Sequence, residues 1–265
     1  MNIWTIANQK GGVGKTTTAV TLAGLLASQG KRVLLVDIDP HGSLTSYLGF
    51  DPEQEAGSLY PFFVNETNNL DESIRKTGLK NIDLLASSTA LAALDRKIGN
   101  KPGMGLVVRK CLRNVESRYD HVLIDCPPVL GILMVNALAA CSYLIIPVQT
   151  EYLALKGLER MMRTLTMINH SVNSEIKYKI VPTMFDKRTR ASSIALSMMH
   201  HNFGKYLWNS YIPVDTCFRE ASQRGVPINM IVRKSRGLDA YQNLLEHILH
   251  SESLNEYELM AVSGI

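Results

Sequence analysis

The sequence predicts an α/β fold, a single domain whose mainly parallel sheet is covered by helices on both faces. Three observations predict it. Short apolar runs alternate along the chain with longer windows of helical character. A glycine-rich turn, Lys10-Gly11-Gly12-Val13-Gly14-Lys15-Thr16-Thr17, follows the first apolar run and opens the first helical window. A length of 265 residues, 46% of them apolar, suits one large core better than two small ones.

The apolar runs at 3–7, 32–36, 82–85, 121–124, 143–148 and 178–182 read as strands. They are nearly continuous rather than alternating, as strands buried on both faces are. Windows at 15–28, 105–118, 130–140 and 153–169 are long enough to be the crossover helices that parallel strands require. Gly30 lies just past the first of these, where a left-handed cap residue is expected. The stretch 51–77 is polar and contains Pro52, Gly57 and Pro61, so it reads as a loop-rich excursion inside the domain. A last amphipathic helix is read at 235–250 and closes a domain spanning 1–250. The remaining 251–265 holds Glu252, Glu256 and Glu258 without Lys or Arg, and reads as an acidic tail that frays or docks.

Composition narrows the functional classes. The formal charge of +4 permits an anionic partner without requiring one. Cys111, Cys126, Cys141 and Cys217 form no C-x-x-C pair, so neither a zinc ribbon nor a thioredoxin-like site is expected. Scattered cysteines among apolar residues suit reduced thiols in a cytoplasmic protein. No basic segment precedes the first apolar run, and no stretch approaches the roughly 20 apolar residues of a membrane span. Neither secretion nor membrane insertion is expected.

The turn at 10–17 has the context of a phosphate loop, after a strand and before a helix, which makes this a P-loop domain. Gly11, Gly12 and Gly14 carry no Cβ, so successive amide N–H groups around Val13 turn toward an anion. The helix that opens at Lys15, Thr16 and Thr17 adds its positive end. Lys15 reaches the β- and γ-phosphates of ATP, and the Thr16 hydroxyl reaches Mg²⁺. Two carboxylate clusters follow predicted strands: Asp37-Ile38-Asp39-Pro40-His41 and Asp125-Cys126-Pro127-Pro128. Carboxylates at the carboxyl ends of parallel strands face the crevice where ligands bind. Asp125 reads as a Mg²⁺ ligand through water. Asp37 reads equally as a turn cap or as a site carboxylate.

The loop lacks a glycine at position 9 and carries Lys10 instead. This K-G-G-x-G-K-T-T run resembles the deviant Walker A motif of the ParA/MinD family of ATPases. The resemblance implies that Lys10 crosses a dimer interface to the partner's nucleotide. It makes Asp39 a switch residue that places the attacking water and serves the metal. Further similarity lies in Ile146–Glu151, in Pro182–Thr189 and in Ile212–Asp215, with Met184, Pro213, Val214 and Asp215 implied at the adenine. Where the family usually has glutamine, this chain has His41.

Within that family the chain is most similar to the small Soj-like branch. It begins its phosphate loop at residue 10, so an operator-binding extension is not expected. Its acidic tail does not match a membrane-binding basic helix. The resemblance implies a homodimer formed with ATP, a protein adaptor or cargo factor, and non-specific DNA binding through Lys187, Arg188, Arg190, Arg219, Arg224, Arg233, Lys234 and Arg236. The family's I-P-R segment reads Ile212-Pro213-Val214, one basic residue short. The run Asp39–Tyr47 and the helix Met134–Ala140 look most like the ParC branch, which places chemosensory arrays at the cell pole. Cell pole and nucleoid are the locations implied. Two other readings are an ATP-dependent metabolic ligase of the same superfamily and a nucleotide-binding scaffold without turnover.

Overall fold

The computed structural model describes residues 1–54, 57–64, 69–94, 103–172 and 175–263. Its strands are β1 (Asn2–Ile6), β2 (Val33–Asp37), β3 (Arg75–Lys76), β4 (Ile82–Leu85), β5 (His121–Asp125), β6 (Tyr143–Gln149) and β7 (Lys177–Thr183). They form one sheet in the order β3-β4-β2-β5-β1-β6-β7. Every pairing is parallel except that of β3 with β4. The six expected strands are all present, each shifted by a residue or two at most. The short antiparallel β3 lies in the stretch read as loop-rich. That stretch also carries the one-turn helices α3 (Tyr60–Val64) and α4 (Leu70–Ser73).

Alternate side chains of the central strands feed two separate cores, which is what a doubly covered sheet requires. Leu34 and Val36 of β2, Val122 and Ile124 of β5, and Leu144, Ile146 and Val148 of β6 pack on one face. Helices α5 (Val107–Arg113), α6 (Ile132–Ala140) and α7 (Tyr152–Val172) cover that face. Val33, Leu35, Leu123, Tyr143 and Ile145 point the other way. They meet α1 (Lys15–Ser28), with Leu22 and Leu26, and α10 (Arg236–Ser263), with Leu244 and Ile248. Each fully buried leucine or isoleucine contributes roughly 1.5–3 kcal/mol, so both layers anchor the sheet between them.

Three expectations need correction. The window at 105–118 is a 3₁₀ turn followed by a shorter helix, because the chain after Arg113 runs as successive turns through Arg118. Helices α8 (Arg190–Phe203) and α9 (Cys217–Arg224) were not read from the sequence, nor was the short α2 (Ser43–Tyr47). Serines and histidines dilute the apolar period of α8, and its start is set by Thr189, whose side chain accepts from the Ser192 amide. Finally, α10 passes His250 without a break and continues to Ser263. Glu252 on that extension accepts from the Trp4 indole at 2.6 Å and from Asn2 at 3.0 Å, which ties it to β1. Glu256 and Glu258 fall outside the residues whose side chains the structure describes.

Candidate functional site

The carboxyl ends of β1, β2 and β5 lie side by side, with Ile6 and Asp37 each in register with Asp125. The phosphate loop leaves β1 at this edge and enters α1. Gly12 (φ +74°) and Gly14 (φ +90°) adopt left-handed backbone that a side chain would strain. Three of the loop's carbonyls are held by side chains. The Thr183 hydroxyl donates to the Val13 carbonyl at 2.9 Å, and the Thr18 hydroxyl donates to that of Gly14 at 2.8 Å. Thr18 in turn meets the buried Tyr241 hydroxyl at 2.7 Å. The Lys15 ammonium, buried at the foot of the loop, donates to the Lys10 carbonyl at 3.2 Å. The first-turn amides of α1 have no acceptor within their own helix, which leaves them available to an anion.

Thr16 donates its hydroxyl to Asp125 Oδ2 at 2.6 Å. Asp125 is buried, and its Oδ1 has no hydrogen-bond partner. Burial, with Asp37 next to it, pushes the Asp125 carboxyl well above the usual range. An orphaned carboxylate oxygen beside a threonine hydroxyl is an oxygen donor set suited to a divalent cation, and the buried Lys15 beside it suits the phosphates that would share that cation. Among the described residues no cluster of three His, Cys, Asp or Glu side chains is placed to hold a metal. The site therefore suits Mg²⁺, which keeps water and phosphate ligands, rather than a cage built of protein alone.

Of the two readings of Asp37, the geometry favours the cap. Its carboxylate is fully buried and accepts from the amide and hydroxyl of Thr45, both at 2.7 Å, and from the Asp39 amide at 3.1 Å. These bonds bend the chain into α2. Asp39 is held at the same turn. Ser87 donates to its carbonyl at 2.6 Å, and its Oδ1 accepts from the His41 amide and ring.

Lys10 points neither into its own loop nor to solvent alone. Its ammonium pairs with Glu151 of the same chain, at the start of α7. Glu151 stood in the sequence only as the end of the Ile146–Glu151 similarity; nothing there paired it with Lys10, 141 positions away.

A cleft of about 650 Å³ runs from the loop along β7. It gathers Gly14 and Thr17 of the phosphate loop with Met184, Pro213, Val214 and Asp215, the residues implied at the base, and with Phe218 and Tyr241, which the sequence did not mark. Met184 takes a left-handed backbone (φ 53°) and lies at van der Waals distance from the position a Cβ on Gly14 would take. The eight basic residues are all exposed. Lys187, Arg188 and Arg236 border an adjoining cavity of about 820 Å³, and Arg219 borders the cleft itself. Arg188 is engaged by Asp186 at 2.7 Å. All four cysteines are free thiols, with Cys126 buried directly after Asp125. Among the described residues no helix is long and apolar enough to cross a membrane.

A glycine-rich loop that opens a helix at the carboxyl edge of a parallel sheet is a nucleotide-phosphate cradle; fold and loop together define a P-loop nucleotide-binding protein. An AAA-domain family matches residues 1–178. The sporulation initiation inhibitor protein Soj of Bacillus subtilis is 36% identical over 244 residues, 92% of this chain and 96% of that protein. The chromosome partitioning protein ParA of Myxococcus xanthus is 34% identical over 94% of this chain and 88% of its own length. The chain belongs to this ParA/Soj family of P-loop ATPases. Among solved structures, cobyrinic acid a,c-diamide synthase from Mycobacterium smegmatis superposes with a TM-score of 0.82 at 30% identity, covering 95% of both chains. That protein was solved with ADP and magnesium, and also with an ATP analogue and magnesium.

Proposed function

We propose that this chain is a slow, Mg²⁺-dependent ATPase that switches between a monomer and an ATP-bound homodimer, and thereby positions a cargo inside the cell. The observation that carries this reading is the division of labour between two lysines. Lys15 is buried at the foot of the phosphate loop, while Lys10 holds its charge at the rim, its side chain 25% exposed. A rim lysine is available to a second chain. Exposed Val129, Leu130, Tyr152 and Leu153 sit on segments following Asp125 and Gln149, at the same edge of the sheet, and offer apolar area for such a partner.

In this reading Gly11, Gly12, Val13, Gly14 and Thr17 hold the phosphates through backbone amides, and Lys15 offsets their charge. Thr16 would hold Mg²⁺ and Asp125 would hold it through water, with Asp39 also serving the metal; such a cation would neutralise charge on the phosphate oxygens. Asp39 orients the attacking water, so this chain's contribution is placement and electrostatics. Met184, Pro213, Val214 and Asp215 enclose the adenine. The domain proper is 1–250, followed by the acidic stretch 251–265, which continues α10 as far as Ser263.

The cargo proposed is a chemosensory array at the cell pole, recruited through a protein adaptor, because the runs at 39–47 and 134–140 resemble that branch. Capture of chemosensory components by an ATP-locked Asp39→Ala chain, and a polar focus of the tagged protein, are the expected results. A diffuse nucleoid distribution would instead favour chromosome partitioning. The names of the curated relatives and the eight exposed basic residues support that second cargo. DNA binding would then require ATP, ignore sequence and weaken steeply with salt.

The structural likeness to a diamide synthase motivates one reading of another class, amide formation on an organic acid held in the 820 Å³ cavity beside the nucleotide cleft. Such an enzyme consumes ATP only when a carboxylate and a nitrogen donor are supplied. Slow multiple-turnover hydrolysis by the chain alone separates the switch from it.

A further inference from the structure

We infer that His41 is a positioning residue for ATP hydrolysis, which acts by fixing one oxygen of Asp39 so that the other is presented to the attacking water. The inference rests on the reading of Asp39 given above.

Both polar groups of His41 converge on a single atom. Its amide donates to Asp39 Oδ1 at 3.0 Å, and its ring Nδ1 lies 2.9 Å from the same oxygen. A carboxylate only accepts, so Nδ1 carries the proton in this contact. Oδ2 has no hydrogen-bond partner among the described residues. The rest of Asp39 is anchored independently, its amide on Asp37 and its carbonyl on Ser87 and the Gly42 amide. With the backbone fixed at both ends, rotation of the carboxylate is the freedom that remains; the His41 amide restrains it, and the ring adds a second donor on the same oxygen. The two oxygens thus become different: one is committed to the turn and one is left for chemistry.

The arrangement is local and built. Gly42 follows in a left-handed conformation (φ 62°), and the position of an added Cβ there lies 2.4 Å from Pro52, so the turn that aims His41 back at Asp39 is sterically defined. The His41 side chain is itself 79% exposed, so it contributes little to the core. An exposed ring whose contact is made with a buried carboxylate of the reaction site is poorly explained by stability. Orientation of that carboxylate explains it, since small misplacements of a catalytic group are costly in rate. Glutamine, usual in the family at this position, also carries an amide donor, but one bond further from the backbone.

The test is steady-state ATP hydrolysis with Mg²⁺, together with binding of a non-hydrolysable ATP analogue, in the full chain. His41→Ala should lower kcat by on the order of 10-fold while KM and analogue affinity change less than about 2-fold. His41→Asn, whose Nδ2 occupies the place of Nδ1, should restore most of that loss, and His41→Leu should not. In an Asp39→Ala background, His41→Ala should cause no further loss. Wild-type kcat in His41→Ala, or His41→Asn no better than His41→Leu, overturns the role of His41. If Asp39→Ala itself turns over normally, the reading of Asp39 fails, and the proposal for His41 falls with it.

Discussion

The Lys10 ammonium rests on the Glu151 carboxylate of its own chain, across the gap between the phosphate loop and the start of α7. Both groups are partly exposed, so the pair itself adds at most about 1 kcal/mol to the monomer. Its effect falls on availability, because a lysine held in cis has to leave Glu151 before it can serve a partner. Glu151→Gln should leave thermal stability nearly unchanged and should lower the ATP concentration needed for dimerisation by roughly 5-fold. Lys10→Ala should still take up nucleotide but dimerise poorly. Analytical sedimentation with a non-hydrolysable ATP analogue reads both. Normal dimerisation and turnover in Lys10→Ala would remove the case for a role in trans.

Lys15 differs from Lys10 in being buried with its ammonium on a loop carbonyl. Lys15→Gln should weaken ATP binding by on the order of 100-fold, the value of a charged hydrogen-bonding partner lost from the terminal phosphates. Equilibrium binding of a fluorescent nucleotide measures it. Affinity equal to wild type would contradict the phosphate-loop reading.

Burial and the neighbouring Asp37 raise the Asp125 carboxyl above its ordinary range. In the unfolded chain it titrates normally, so between its ordinary and its raised value the folded protein binds a proton that the unfolded chain does not. Stability from this site is therefore present at low pH and is lost as pH rises through neutrality. Asp125→Asn, which cannot ionise, should become progressively more stable than wild type over that interval in the absence of Mg²⁺. A cation must displace the same proton, so wild-type Mg²⁺ affinity should rise with pH. Urea unfolding and Mg²⁺ titration at mildly acidic and mildly alkaline pH check the two halves. A pH-independent difference between variant and wild type would place the charge elsewhere.

Gly24 sits in α1 where the loop at Pro227 crosses it. A Cβ there would lie 2.2 Å from Pro227 Cβ and 2.5 Å from Asn229 Oδ1. Alanine ordinarily improves a helix by about 1 kcal/mol over glycine. Here the proline ring cannot turn aside, and overpacking of this kind costs about 1–3 kcal/mol. Gly24→Ala should therefore be net destabilising in urea, with nucleotide affinity unchanged. A stabilised variant would show that the loop gives way freely.

Much of the site was legible because its chemistry is local in the chain. Residues 10–17 make one turn, and Asp37, Asp39 and Asp125 each stand at the end of an apolar run. Helices α8 and α9 were not legible, because their apolar faces are short and their ends are set by caps. The continuation of α10 through Ser263 was hidden as well. Its tie to β1 is made by Glu252, 248 positions from Trp4, whereas an acidic stretch taken by itself reads as solvated.

The sequence by itself determined the six parallel strands, the main crossover helices between them, the phosphate loop and the residues at strand ends, because apolar period and glycine freedom act over a few residues. Tertiary structure decided which groups hold the loop and which remain free. Thr183 reaches the Val13 carbonyl across 170 positions, and Tyr241 reaches Thr18 across 223. Glu151 takes Lys10, and Asp37 is consumed by Thr45 while one oxygen of Asp125 is left without a partner. A hydrogen bond depends on ångström-scale distance and direction, and only the packed sheet with its two helical layers brings these distant positions into range.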